Sequence, residues 1–338
     1  MTQENPTIIF TKPGEVKLDN KEIPKLKENE VLVNTKKSLI SVGTELTILS
    51  GQFPPESYWA SYGKYPFIPG YSNIGEIVEV GPKVDRNLIG KVVASYSPHA
   101  LYNSVSQDSL RFVPTEISNE EASFFAIAEI VMNGIRRSQL VFGESVVIYG
   151  AGLLGQLTAR ICKIAGAKPI IVVDISDYRL SFLPNSIIRI NPLNQDVISE
   201  VKRLTKERMA DVVFEVTGNP NIITEELRCL RRLGRFVVLS SPRGPSTIDL
   251  HDFCNAPSFT FIGAHNSSHP PIETLNNPWT YKRHTELFFD LLLSKELDVS
   301  KLITHKVPYS DAPKIYEELL KDRTKAIGVV LEWDKLNT

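Results

Sequence analysis

Between residues 145 and 174 the chain reads SVVIYGAGLLGQLTARICKIAGAKPIIVVD, and no other stretch constrains the fold so tightly. A short apolar run, Val146 to Tyr149, leads into a turn written G-A-G-L-L-G, with glycines at 150, 152 and 155. Apolar residues then recur at helical spacing through Leu157, Ile161, Cys162 and Ala165, and Gly166 stops the pattern. A second apolar run, Ile170 to Val173, ends on Asp174. Strand, glycine turn, helix, strand and acid in that order predict a βαβ unit with two parallel strands.

Each part of the turn has a physical reason. Gly150 permits the tight departure from the strand, Gly152 has no Cβ to hold a ligand's phosphates away, and Gly155 lets the helix pack close to the strand. Ala151, Leu153 and Leu154 fill the turn and open the helix, whose N-terminal N–H groups and partial positive charge suit a pyrophosphate. Asp174 lies roughly 20 residues beyond the glycines, where a carboxylate accepts hydrogen bonds from ribose hydroxyls. This is the dinucleotide-binding fingerprint in its required context. Asp174 favours NAD, because it would face the 2′-phosphate of NADP; Arg179 nearby partly offsets that charge, so NADP is the less favoured cofactor. The competing reading is a glycine turn that binds no nucleotide, and the flanking strands, helix and acid weigh against it.

At 338 residues the chain predicts two domains of ordinary size. A net charge of -1 and the lack of a basic stripe argue against nucleic acid or an anionic membrane as the main partner. Cys162, Cys229 and Cys254 are far apart and form no C-x-x-C pair, so neither a disulfide framework nor a cysteine-based zinc site is expected. No apolar run reaches the roughly 18 residues of a membrane span, and the polar N-terminus lacks a signal-type apolar core, which makes a cytoplasmic location the expectation.

Residues up to about 120 read as β-rich: Thr7 to Phe10, Val16 to Leu18, Val31 to Val33, Gly75 to Val80, Lys91 to Ala94 and Leu110 to Val113, with proline and glycine between them. That spacing predicts a small barrel-like domain. Two stretches break it, the aromatic and proline-rich Gln52 to Pro69 and the polar Ser95 to Gln107, both expected as site-lining loops. From Asn119 helix and strand patterns alternate through the fingerprint, Ala210 to Glu215, Ile222 to Leu230, Arg235 to Leu239 and Phe259 to Ile262, which predicts a parallel sheet covered by helices on both faces. Beyond the His284 to Leu293 helix, a strand-like stretch at Val307 to Tyr309, a helix at Asp311 to Leu320 and a strand at Ile327 to Trp333 are placed to return to the first domain.

This layout resembles the medium-chain dehydrogenase/reductase superfamily, which includes zinc alcohol dehydrogenases, polyol dehydrogenases and quinone reductases. The resemblance rests on Ser41-Val42-Gly43-Thr44-Glu45, on Pro69-Gly70 through Gly75-Glu76-Ile77-Val78-Glu79-Val80-Gly81, on Gly90-Lys91-Val92-Val93, on the Gly150 fingerprint and on Thr217-Gly218. The form S-V-G-T-E followed by P-G-Y-S is most similar to the branch around bacteriochlorophyllide dehydrogenases. The resemblance implies an α/β chain: a GroES-like β-rich catalytic domain (residues 1–121), a Rossmann doubly wound parallel-sheet domain binding NAD(P) (122–294) and a return segment (295–338). It adds Thr217 and Leu239 to the cofactor-binding residues, and it implies a small-molecule substrate between the domains and a homodimer.

The departures from the family pattern concern zinc. Val42 stands where zinc members carry a cysteine, Gly70-Tyr71-Ser72 stands for G-H-E, and Phe125-Ala126-Ile127-Ala128 supplies no third ligand. The four-cysteine lobe is missing, and Glu129 alone makes no tetrahedral site. No metal is therefore expected, and the proton on the substrate oxygen needs another handler. Thr44 aligns with the relay hydroxyl. Tyr71 either donates to a carbonyl or fills the space left by the metal. Glu45 either supports the loop or acts as a base. His99 offers an imidazole, a group suited to acid–base work, set against a loop-anchoring role. His265 and His269 divide in the same way between a site near the nicotinamide and a polar turn. The resulting expectation is a zinc-independent NAD(P)-dependent oxidoreductase acting on an alcohol or carbonyl. Its rivals are an enone or quinone reductase and a nucleotide-binding sensor without catalysis.

Overall fold

The computed structural model describes residues 4–334. Its contacts divide the chain into two compact units, one holding the chain up to Ala126 and again from Thr285, the other Ile127–His284. The first unit contains β1 (Glu4–Lys12), β2 (Glu15–Glu22), β3 (Glu30–Leu39), α1 (Val42–Ser50), α2 (Tyr58–Tyr62), β4 (Gly70–Val80), β5 (Val92–Pro98), β6 (Tyr102–Ser106), β7 (Arg111–Phe112) and α3 (Asn119–Ala122). After α4 (Phe125–Arg137), strands and helices alternate: β8 (Val146–Tyr149), α5 (Leu153–Ile164), β9 (Ile170–Val173), α6 (Asp177–Ser181), β10 (Ile188–Ile190), α7 (Val197–Leu204), β11 (Ala210–Glu215), α8 (Ile223–Leu227), β12 (Leu230–Val238) and β13 (Thr260–Gly263). The chain then runs through α9 (Tyr281–Leu293), β14 (Ile303–Pro308), α10 (Ala312–Lys321) and β15 (Gly328–Glu332).

In the second unit all strand pairs are parallel, in the order β10-β9-β8-β11-β12-β13. Counted along this unit alone, that is 3-2-1-4-5-6, the doubly wound order whose switch point lies between β8 and β11. Both faces of such a sheet are covered, which is why Val146, Val147 and Ile148 and their neighbours Val212, Val213 and Phe214 are fully buried, with no polar alternation. The sheet and the helical pattern expected from the fingerprint are both present. Cys162 is fully buried on α5, as a core residue, and burial pushes its thiol well above the usual range.

The larger sheet of the first unit runs β14-β15-β3-β4-β5-β7, with β6 on β3. Strand β15 lies parallel to β14 and antiparallel to β3, so the C-terminal segment completes the sheet begun by the N-terminal one. One core joins Ile8 and Phe10 of β1, Ile48 and Leu49 of α1, Tyr316 and Leu319 of α10, and Trp333. Pro313 suits the start of α10, where its missing N–H is harmless, and Ile315, Tyr316 and Leu319 form the inward face.

Two expectations need correction. Ser95 to Gln107 is not a polar loop: β5 and β6 occupy most of it. Ser95, Ser97 and Asn103 are buried and bond to one another's neighbourhood, Ser95 Oγ to Ser97 Oγ at 2.8 Å and Asn103 Nδ2 to Thr35 Oγ1 at 3.1 Å. Satisfied polar groups take the place of apolar alternation there. The aromatic stretch Gln52 to Pro69 also contains a helical turn, α2, capped by Ser57. Among the described residues no helix is long and apolar enough to cross a membrane.

Candidate active site

The glycine turn follows β8 at the switch point of the second unit. Gly150 has φ +108°, a conformation closed to L side chains at low cost. A Cβ on Gly155 would lie 1.8 Å from the Gly150 carbonyl oxygen, so the α5–β8 contact requires glycine. Gly152 differs, because a Cβ there would meet nothing within 4 Å. Strain and packing therefore explain two glycines, while the third leaves open space at the start of α5. The first turn of that helix has N–H groups with no carbonyl one turn earlier, and Gly152 offers no side-chain cap. This cradle fits a dinucleotide phosphate pair.

Around the cradle, Ala151 and Leu153 are buried and Leu154 is half-buried. Asp174 is half-buried, accepting the Ala151 N–H at 2.6 Å on Oδ2 and the Ser176 N–H at 2.8 Å on Oδ1. Each oxygen keeps a second lone pair for a ribose hydroxyl. Arg179 sits on α6, half-buried, and its carbonyl accepts from Gln156 Nε2 at 2.8 Å. Thr217 is turned inward, its hydroxyl donating to Glu215 Oε1 at 2.7 Å. Leu239 is buried, its side chain filling the space above Gly134.

The four catalytic candidates lie together in the first unit. Ser41 precedes α1, and Thr44 and Glu45 stand on its first turn. The Tyr71 hydroxyl, from β4, is 3.0 Å from Ser41 Oγ and also bonds the Thr44 side chain. Burial, reinforced by the Glu45 carboxylate and opposed by the Ser41 and Thr44 hydrogen bonds, pushes the Tyr71 phenol up to about 12, so it keeps its proton at neutral pH. Its ring stacks on Tyr96 at 5.9 Å.

Glu45 is buried and accepts from three directions. Oε1 takes the Ser41 N–H at 2.6 Å and lies 3.3 Å from His99 Nε2, and Oε2 takes the Tyr316 hydroxyl of α10. Of the two readings of His99, its burial and bonds fit the anchoring one, away from any exposed loop. His99 is fully buried just after β5, with no exposed surface, because β1 pairs across it: Ile8 N–H donates to its carbonyl at 2.9 Å. Its Nδ1 is 2.8 Å from Ser38 Oγ, which accepts from Trp333 Nε1 at 2.8 Å. If Ser38 donates to Nδ1, Nε2–H is left to donate to Glu45. Neither Glu45 nor His99 reaches solvent, and both act through their neighbours, whereas Tyr71 and Thr44 keep exposed surface. Ser41, beside Tyr71, belongs to the S-V-G-T-E block but was not singled out from sequence. Tyr316 is 271 residues from Glu45, and nothing local marks it.

At the positions that the resemblance assigns to catalytic zinc stand Val42, Tyr71 and the hydrocarbon side chains of the buried segment Phe125-Ala126-Ile127-Ala128. Hydrocarbons and a protonated phenol do not make a zinc donor set. Among the described residues no group of three or more His, Cys, Asp or Glu side chains is placed to hold a metal.

His269, in the second unit, is buried, with Nε2 2.8 Å from Nδ1 of the fully buried His284. Burial, then His269 and two arginines, lowers His284 to about 3, so it is a neutral packing group. His265 bonds Ser267 in an exposed turn.

Residues 154–277 match the family model described as zinc-binding dehydrogenase. D-guloside 3-dehydrogenase of Escherichia coli (strain K12) is 28% identical over 263 residues, covering 75% of this chain and 73% of its own length. L-threonine 3-dehydrogenase of Pyrococcus horikoshii is 28% identical over 357 residues, covering 94% of this chain and 95% of its own. The structure of an alcohol dehydrogenase from E. coli CFT073, complexed with NADH, superposes with a TM-score of 0.81 at 19% identity, covering 97% of this chain and 99% of the other. The fold, the sequence of the nucleotide unit and these relatives support the medium-chain dehydrogenase/reductase superfamily as the family this chain resembles.

Proposed function

We propose that this NAD(P)-dependent oxidoreductase interconverts an alcohol and a carbonyl without zinc, using the Tyr71 phenol, backed by Ser41 and Thr44, to handle the substrate oxygen. The observation that carries this reading is the protonated Tyr71 hydroxyl, bonded to two further hydroxyls at a position where family members place a zinc-binding histidine. Bound NAD(P) supplies the hydride acceptor or donor. Tyr71 donates a hydrogen bond to the substrate oxygen as it gains negative charge, which is the role of an oxyanion-stabilising donor. Ser41 and Thr44 orient that phenol and can pass its proton on. Glu45 fixes the Ser41 backbone, and His99 and Tyr316 fix Glu45. Asp174 favours NAD over NADP. The relatives' names point to a hydroxyl on a sugar, polyol or β-hydroxy amino acid as the substrate class to examine first.

The test combines metal analysis with turnover of such a panel using NAD and NADP. The expected result is turnover by protein holding no stoichiometric zinc, with Tyr71→Phe losing roughly 100-fold in kcat/KM while NADH affinity is unchanged. Stoichiometric zinc, or full activity in Tyr71→Phe, would overturn the proposal. Turnover confined to α,β-unsaturated ketones would establish the reductase instead, and nucleotide binding without turnover would establish the sensor.

A further inference from the structure

Glu215 ends β11 and is fully buried. Its Oε1 accepts the Thr217 N–H at 2.6 Å, the Thr217 hydroxyl at 2.7 Å and the Gly218 N–H at 2.8 Å, and its Oε2 accepts the Ser240 hydroxyl. Its backbone carbonyl accepts the N–H groups of Leu239 at 3.1 Å and Ser240 at 3.0 Å. One residue thus clasps the turn after β11 to the segment after β12. Those segments carry Thr217 and Leu239. The turn after β11 also lies against the glycine cradle, since a Cβ on Gly150 would come within 3.2 Å of Val216 and 3.3 Å of Thr217.

A second carboxyl stands on α8, which packs against β11. Glu226 on α8 is fully buried, and neither of its oxygens meets a hydrogen-bond partner among the described residues. The titratable groups that act on it or feel its charge are Glu215 of β11, Tyr149 of β8 and Cys229 after α8, with Glu225 acting on the last two and Asp196 on Cys229. All are acids. Ionised, Glu226 would be a desolvated, unpaired charge beside another carboxylate. Burial first, and Glu215 second, push it up to about 9, so it holds its proton at neutral pH.

We infer that Glu215 is a positioning residue for the nucleotide, and that its clasp on Thr217, Gly218 and Ser240 depends on Glu226 staying protonated. This rests on the nucleotide-binding reading above. When solvent hydroxide takes the Glu226 proton, the new charge repels Glu215, the clasp loosens, and affinity for the dinucleotide falls.

The experiment measures the NADH dissociation constant by fluorescence from about pH 7 to pH 10 for the wild type, Glu226→Gln and Ser240→Ala. Hydrogen exchange of residues 216–219, corrected for the intrinsic pH dependence of exchange, is followed in the cofactor-free proteins. In the wild type the dissociation constant is expected to rise about tenfold across this range, with residues 216–219 losing protection. Glu226→Gln is expected to flatten both profiles while binding NADH within about twofold of wild type at pH 7. Ser240→Ala, lacking one clasp bond, is expected to weaken NADH about fivefold at every pH. If the glutamine fails to pack, Glu226→Leu gives the same charge-free comparison. An equal alkaline loss in the uncharged variant, or unchanged protection in the wild type, overturns the inference. If the wild type binds neither NADH nor NADPH at pH 7, the nucleotide reading itself fails, and the exchange data alone then decide whether Glu226 controls the clasp.

Discussion

Glu45 accepts hydrogen bonds from the Ser41 backbone and the Tyr316 phenol and faces His99, all out of solvent. Removing it strands three buried polar groups, so Glu45→Ala should cost about 3 kcal/mol in urea unfolding, against about 1 kcal/mol for Tyr316→Phe. The double variant should cost clearly less than the sum, because the two changes share one bond. Tyr71 carries a separate expectation. With its phenol pushed up to about 12, the pH–rate profile should show no alkaline limb from Tyr71 below about pH 11. A limb near pH 10 that disappears in Tyr71→Phe would contradict this. Thr44, Glu45 and Tyr71 could be named as candidates because they stand in blocks with a family pattern. The full burial of His99 was not legible because the strands around it are polar, and Tyr316 was invisible because its partner is 271 residues away.

At the scale of elements the glycine turn makes opposed predictions for two of its members. Gly152→Val should fold, since the added carbons meet open space, yet lose dinucleotide affinity by at least about tenfold in fluorescence titration. Gly155→Val should fail earlier, as loss of soluble folded protein, because its Cβ would overlap the Gly150 carbonyl. A folded Gly155 variant, or a Gly152 variant with full affinity, would refute the division of labour. This unit was legible almost element by element, because fully buried parallel strands read as unbroken apolar runs and the turn chemistry is local. The first unit was less so. Helix α1 hides inside the S-V-G-T-E block, and in β5 and β6 buried serine and asparagine stand where alternating apolar residues would have announced strands.

Across the whole molecule, Trp333 closes the core of the first unit beside Phe10 and Tyr316, and its indole N–H bonds Ser38. Trp333→Ala should therefore destabilise by about 3–5 kcal/mol, read as a lowered denaturant midpoint. Stability should also fall as the medium becomes alkaline. The folded state holds a Glu226 proton up to about pH 9 that the unfolded chain releases near 4.5, so stability declines with rising pH between those values, by at most about 1.4 kcal/mol per unit. Glu226→Gln should remove that slope. The antiparallel pairing of Leu39 with Val330 has a consequence in time. During synthesis β3 leaves the ribosome 330 − 39 = 291 residues before β15, on the order of 15–60 s at translation rates of 5–20 residues per second. The second unit, a continuous segment, can complete itself in that interval, while the N-terminal strands wait with an open edge. A fragment ending at Ala126 should accordingly aggregate when expressed alone, and recover solubility when the segment from Thr285 onward is supplied in trans.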